Sequence, residues 1–489
     1  MKHDEPSTPS FRWSRIFLLL LIPVVLYFAV RFTRDKPVTY ADPLEHFKYG
    51  STGGEREAGI PLAVWNLLPD LFAKQLPGKG YASLGFIYET NRALPIGVSQ
   101  RNVQGVDRVF LNCAVCHVGT IRDTPESQRR IIVGMPANGM NLQMFERFLF
   151  ACSRDENFHG GRIADELAQR KSDDFINRTL YRYLAIDLAR QRLITLAQRF
   201  SFMDREPDTG PGRVDTFNPP KVLLNFPMDK LPPEEWVGNC DLPSIWNQAK
   251  REGMWLHWDG NNNSVEERNR SAAFGTGATP TTLDRKSLQR MKDFTMTNTP
   301  PRWLYGIDYA KSGRGEKLYA DYCARCHGKD GKDFTGELVG KVTPIEKIKT
   351  DRRRLDSYSE ELCANQGLLY ADYPDERFKH FRKTFGYANQ PLDGLWLRGP
   401  YLHNGSVPTL RELLEPASKR RVEFYRGYDV IDHDRVGFIS DVAEEKGRKY
   451  FKFDTRLPGN GNQGHEGEEY GTNLSPEDKD ALVEHLKTF

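Results

Sequence analysis

The segment GRGEKLYADYCARCHG, residues 313–328, runs a short apolar stripe (Leu318, Tyr319, Tyr322) into a C-x-x-C-H motif. Those three positions fall on one side of a 3.6-residue turn, so the stripe predicts a helix ending at the motif. The motif reads as a covalent attachment point for haem c. Two thiols one helical turn apart (Cys323, Cys326) meet the two vinyl groups, and the adjacent His327 takes the proximal iron position. A second motif, CAVCH, sets Cys113, Cys116 and His117 in the same relation. With 7 Cys and 11 His in 489 residues, one such motif is expected by chance on the order of 10⁻³ times. A zinc half-site or a redox C-x-x-C is a poor rival for two copies.

The last sixteen residues, LSPEDKDALVEHLKTF (474–489), complete the pattern. Ser475 serves as N-cap, Pro476 takes the first helical position, and acids fill the first turn. Ala481, Leu482, Leu486 and Phe489 then form a packing stripe. Together these two helices predict a cytochrome c-type domain over 301–489, with a long insertion between them. Residues 41–300 are expected to hold a first haem domain with a helical insertion at 160–240. The expected fold class is mainly α: two cytochrome c-type haem domains with long loops and insertions, plus an N-terminal membrane anchor helix within residues 1–40.

That anchor is read from IFLLLLIPVVLYFAV (16–30), an apolar run between Arg12 and Arg15 on one side and Arg31, Arg34 and Lys36 on the other. No small-x-small cleavage site follows, which favours an uncleaved signal anchor. Haem joins C-x-x-C-H outside the cytoplasm in bacteria. The expected location is therefore the bacterial inner membrane through a single-pass helix, with a cytoplasmic tip and a periplasmic body. Charges nearly cancel, 69 basic against 66 acidic, so a nucleic-acid partner has no electrostatic support. Cys152, Cys240 and Cys363 remain; in an oxidising compartment two of them could pair and leave one thiol over.

The last methionine is Met296, so the second haem domain offers no methionine ligand. Its other histidines are His380, His403, His433, His465 and His485. His380 and His485 read as surface residues. His465 sits in GNGNQGHEGEEYGTNL, a glycine-rich loop able to approach a haem face closely. A His327/His465 pair is the expected ligation of the second iron, saturated and suited to electron transfer. For the first iron, Met135, Met140, Met144, His159 and His257 are candidates opposite His117. Methionine at such positions is more often core packing, and an open or weakly held sixth position is preferred. Arg213 in GRVD is a candidate partner for a haem propionate.

Two C-x-x-C-H motifs, the W-D-G turn of LHWDGNNNSVEERN (256–269), and GPYLHNGSVPTLRELL (399–414) resemble the bacterial di-haem cytochrome c peroxidase superfamily. The resemblance is strongest over 245–489 and weaker from residue 100. It implies that Trp258 lies between two haems and passes electrons. It also implies that His403 lies in the haem environment, and that a calcium ion is present in some members. Peroxidases of this kind place a glutamate about twenty residues after the tryptophan, as a proton shuttle. Here residues 268–283 contain no carboxylate, and Glu266 and Glu267 lie nearer the turn. Phe274 stands in that region instead. This resembles the rubber-oxygenase-like branch, in which a phenylalanine covers the first haem and the second haem is bis-His. His257 departs from the aromatic residue common before the tryptophan; it could hydrogen-bond a propionate or supply an acid–base group.

The leading reading is thus a periplasmic di-haem oxidoreductase whose first haem activates dioxygen or peroxide while the second relays electrons from a small redox protein or a quinol-linked donor. One alternative is a peroxidase reducing hydrogen peroxide, with His257, Glu266 or Glu267 as the acid. Another is a non-catalytic membrane-anchored electron carrier.

Overall fold

A computed structural model describes residues 10–489, with side chains described from residue 21 onwards. Of the described residues, 42% are helical and 13% are in strands. That corrects the expected mainly α fold, because strands build much of what carries the first motif. The longest hairpin pairs Val98–Val103 with Val106–Leu111, setting Val98 against Leu111 and Val103 against Val106. Its turn residues, Gln104 and Gly105, both have positive φ (54° and 78°), the backbone that suits the right-handed twist of the flanking strands. Asp35–Pro37 and Ile60–Pro61 add at the two edges, giving a four-stranded antiparallel sheet. The first C-x-x-C-H follows directly from this hairpin.

Three shorter antiparallel pairs position the rest of the site. Val118–Ile121 pairs with Arg130–Val133, Arg213–Asp215 with Asn239–Asp241, and Val342–Pro344 with Gly386–Ala388. With 30 prolines and 41 glycines, long helices are costly between the haem motifs. Short ladders satisfy the backbone there instead.

In the C-terminal part, helix Tyr309–Tyr322 is capped by Asp308, whose carboxylate accepts from the amides of Ala310 and Lys311. It crosses the terminal helix Pro476–Leu486, where Ser475 Oγ accepts from the Asp478 amide at 3.2 Å. The crossing is tight: a Cβ on Gly315 would lie 2.0 Å from the Ala481 carbonyl oxygen. Tyr319, Trp396, Leu482 and Leu486 share a core there with Met135 and Trp246, which precede the second motif in the chain. Each such buried side chain contributes about 1.5–3 kcal/mol. A separate apolar core gathers Trp65, Tyr81, Phe145 and Phe148 beneath the first motif. Within 160–240, helices Gly160–Gln169, Phe175–Leu180 and Ile186–Arg199 are followed by the strands Arg213–Asp215 and Asn239–Asp241.

The anchor helix also needs correction. A helix spans Ser10–Thr33 and carries Pro23 within it. Among the described residues no helix is long and apolar enough to cross a membrane. Fifteen apolar residues rise about 22 Å at 1.5 Å each, short of a hydrocarbon core of about 30 Å. The first part of the run, 16–20, lies outside the residues with described side chains, and the expected cytoplasmic tip at 1–9 lies outside the described residues altogether. At the helix's far end Arg31 donates to Asn177 Oδ1 at 2.5 Å, tying it to the insertion.

Candidate functional site

At the first motif, Ala114–His117 forms one helical turn that passes straight into the strand Val118–Ile121. His117 Nδ1 lies 2.9 Å from the Pro243 carbonyl oxygen. A carbonyl only accepts, so Nδ1 carries the hydrogen and Nε2 keeps its lone pair for iron. Burial, helped by the charge of Arg268, pushes His117 down to about 4, which keeps the ring neutral and ligand-ready. The second motif repeats this arrangement. His327 Nδ1 lies 2.8 Å from the Gln390 carbonyl oxygen, and burial lowers its pKa.

His465 faces His327. Their ring centroids are 6.4 Å apart at 41°. Two imidazole nitrogens each about 2 Å from one metal ion, plus the ring radii, require about this separation. The loop bearing His465 is held on three sides. The His465 amide donates to the Ile348 carbonyl at 2.8 Å, and Gly464, at φ +81°, passes so close to the backbone of Lys349 and Thr350 that a Cβ would lie 2.4 Å from it. Buried Arg420 donates to the carbonyls of Gly464 and His465. Burial, then the neighbouring His327, pushes His465 down to about 3. The residue set of each motif therefore fits haem c, and that of the second also provides an opposing imidazole.

Trp258 ties the two centres together. Its indole Nε1 donates to the Asp241 carbonyl at 2.7 Å, two residues before the Pro243 carbonyl that holds His117. Its own carbonyl accepts from the Ala388 amide at 2.8 Å, two residues before the Gln390 carbonyl that holds His327. The ring packs against the cluster of Ile345, Leu355 and Tyr387. Asp259 is fully buried and paired with Arg354 at 3.0 Å, which fixes the W-D-G turn.

The other expected residues are distributed as follows. Phe274 packs between Tyr370 and Phe378 and joins the apolar group around Ala273 that also receives Cys113. His257, at φ +63°, hydrogen-bonds Asn261 Oδ1 at 2.5 Å, and burial pushes it down to about 4. His403 stacks on Tyr387 at 4.1 Å, with Nε2 3.1 Å from that hydroxyl. Arg213 is fully buried over Phe453, 4.0 Å from Asp241, with Nε unpartnered; burial pushes it down to about 10.

Met135 and Met140 are buried in the two cores, and Met144 is exposed. His159 caps a helix. Glu266 is exposed beside Lys292, and buried Glu267 accepts from the amides of Lys379 and His380. His380 is on the surface, whereas His485 is buried against Tyr319 and Phe489; it faces the helix crossing rather than water. No disulfide joins Cys152, Cys240 or Cys363. Among the described residues no group of three or more His, Cys, Asp or Glu converges as a metal cage.

Sequence reasoning missed Pro243, Gln390 and Arg420. The first two act through backbone carbonyls, which side-chain identity does not reveal.

Comparison with known proteins bears on the same region. Residues 386–426 match the family described as RoxA-like, cytochrome c-like. The matched segment contains Gln390, which orients His327, and the Tyr387–His403 pair. It supports a haem c oxidoreductase on the rubber-oxygenase-like cytochrome c side of the resemblance. The wider di-haem peroxidase grouping rests on the motifs. The chain is also similar to the uncharacterized protein y4iJ of Sinorhizobium fredii, 28% identical over 84% of this chain and 81% of that one. It is 30% identical to the uncharacterized protein y4iM of the same organism, over 45% of this chain and 54% of that one.

Proposed function

We propose that this chain is a di-haem c-type oxidoreductase working outside the cytoplasm, with the first centre open to a small ligand and the second relaying electrons. The observation that carries the reading is the His327–His465 pair at 6.4 Å. Two opposed imidazoles leave no position for substrate, so that centre suits electron transfer. His117 has no opposed histidine ring among the described residues, and the nearby methionines are engaged in cores or exposed. When bound there, a haem supplies one-electron and dioxygen or peroxide chemistry.

The chain's own residues do the positioning. Pro243 and Gln390 orient the two proximal rings, Arg420 clamps the His465 loop, and Trp258 joins the two orienting segments by its indole and its carbonyl. The electron donor is a small redox protein or a quinol-linked carrier. The test is the ferrous spectrum of the purified protein with and without carbon monoxide. One haem is expected to bind it and the other to stay low-spin. If neither binds it, the chain is an electron carrier and the enzyme reading fails.

A further inference from the structure

The core beside the second motif contains a run of aromatic rings that ends at the surface. Trp396 is fully buried and lies six residues after Gln390, whose carbonyl holds His327. Trp303 meets it edge-on at 5.3 Å between ring centroids, and Tyr305 meets Trp303 the same way at 4.8 Å. The core that holds both indoles also receives Cys323 and Ala324 of the motif. Trp246, in the same core, donates from Nε1 to the Val133 carbonyl at 2.8 Å, and Val133 pairs with Val118, next to His117. The aromatic core thus borders both motifs.

Edge-to-face pairs stabilise many cores, so packing alone accounts for the two indoles. It does not account for the tip. Tyr305 is partly exposed. Its hydroxyl donates to the Asp123 carboxylate and accepts from Arg130 at 3.0 Å, and Arg130 donates to the same carboxylate. Burial, then the bond to Asp123, pushes Tyr305 up to about 12, so the phenol keeps its proton at neutral pH.

Tyrosine and tryptophan are among the side chains most readily oxidised by one electron. A tyrosine yields its electron easily only when its proton leaves as well, and Asp123 stands in place to take it. The indoles are held differently. Nε1 of Trp396 donates to the Pro301 carbonyl at 3.1 Å, and Nε1 of Trp303 to the Gly306 carbonyl at 3.4 Å. A carbonyl does not take up a proton near neutral pH, so the indoles pass an electron and keep their hydrogens. Lys487 lies 5.4 Å over the Trp303 ring, but Glu484 at 2.7 Å offsets its charge.

Resting on the reading of a di-haem oxidoreductase, with hydrogen peroxide as the oxidant, we propose that Tyr305 is a surface oxidation site for phenolic reductants, quinols among them. Trp303 and Trp396 join it to the second centre. Tyr305 loses one electron inward through the two indoles and its hydroxyl proton to Asp123. A phenol docked against it, beside exposed Leu304, then gives up the hydrogen atom of its O–H bond. Tyr305 is restored, the phenol leaves as its phenoxyl radical, and Asp123 releases its proton to water. Two such turns supply the two electrons and two protons that reduce one hydrogen peroxide to two waters.

The test uses the holoprotein with Tyr305→Phe and Trp303→Phe, each checked for unchanged haem content. Hydrogen peroxide is mixed with the ferric protein, and rapidly frozen samples are read by electron paramagnetic resonance. The unaltered protein should show a tyrosyl radical, and Tyr305→Phe should lose it. Trp303→Phe should show a weaker signal although Tyr305 is intact. Oxidation of hydroquinone by peroxide should slow in both variants. A change in haem absorption on adding peroxide, with no radical that depends on Tyr305, overturns this assignment alone. An undiminished signal in Trp303→Phe overturns the route through the indoles. Slower turnover in Tyr305→Phe with a reduced small cytochrome, but not with hydroquinone, marks a protein-docking surface and overturns the phenolic donor. Haem absorption that peroxide leaves unchanged overturns the open first centre as well.

Discussion

The indole of Trp258 is bonded to the Asp241 carbonyl at 2.7 Å, two residues from the carbonyl that orients His117. The same residue's carbonyl is bonded to Ala388, two residues from the one that orients His327. One residue is thus coupled to both proximal rings, by its side chain on one side and its backbone carbonyl on the other. Trp258→Phe removes the indole bond, a loss of about 1 kcal/mol, and shrinks the ring in that gap. Stopped-flow reduction should show slower transfer between the haems with little loss of fold. An unchanged rate would remove Trp258 from the path.

His465→Ala should leave the second haem covalently attached but convert it from low-spin to high-spin, visible in the ferric spectrum, and allow carbon monoxide to bind there. A retained low-spin spectrum would make the loop structural. Arg420→Leu attacks the same geometry from outside. It strips donors from the buried carbonyls of Gly464 and His465, at a cost of about 3 kcal/mol or more, and should partly populate the high-spin form.

Gly315→Ala tests the helix crossing. On helix propensity alone the change would stabilise by about 1 kcal/mol. The new Cβ would lie 2.0 Å from the Ala481 carbonyl oxygen, a backbone atom with no rotamer to escape into. The contact should win, lowering stability by more than about 3 kcal/mol in a thermal or denaturant melt. A neutral or stabilising result would show that the two helices can slide apart cheaply.

Glu146 provides a pH handle near the first motif. Burial, with the charge of Asp215, pushes it up to about 7, against the partial relief of Arg147. The folded state then binds a proton more tightly than the unfolded state. Its contribution is fully present below the unfolded value near 4.5 and is lost as pH rises through about 7. Glu146→Gln cannot acquire that buried charge. The variant's melting temperature should therefore gain on the unaltered protein between pH 5 and pH 8. A difference that does not change with pH would place Glu146 in contact with solvent.

Several features were legible along the chain because their causes are local. The Ser475 cap and Pro476 depend on hydrogen bonds within one turn, and the helix begins where that chemistry puts it. The four-stranded sheet was overlooked, although the Gln104–Gly105 turn between two alternating valine-rich runs is a hairpin signal. His485 was misjudged because a polar residue near a chain end looks solvated, whereas the crossing of two helices over Gly315 closes around it.

The sequence by itself marked the two motifs at which haem c is proposed to attach, since two sulfurs and an imidazole within five residues suit that chemistry without help from elsewhere. It also showed that the peroxidase carboxylate is missing from residues 268–283. Only the tertiary structure decided which groups act on those motifs. Pro243 and Gln390 reach the proximal rings through carbonyls every residue possesses, from 126 and 63 positions away. His465 meets His327 because Arg420 and the Lys349–Thr350 backbone hold its loop in place. These are long-range contacts, and residue type along the chain carries little information about which of them a fold will close.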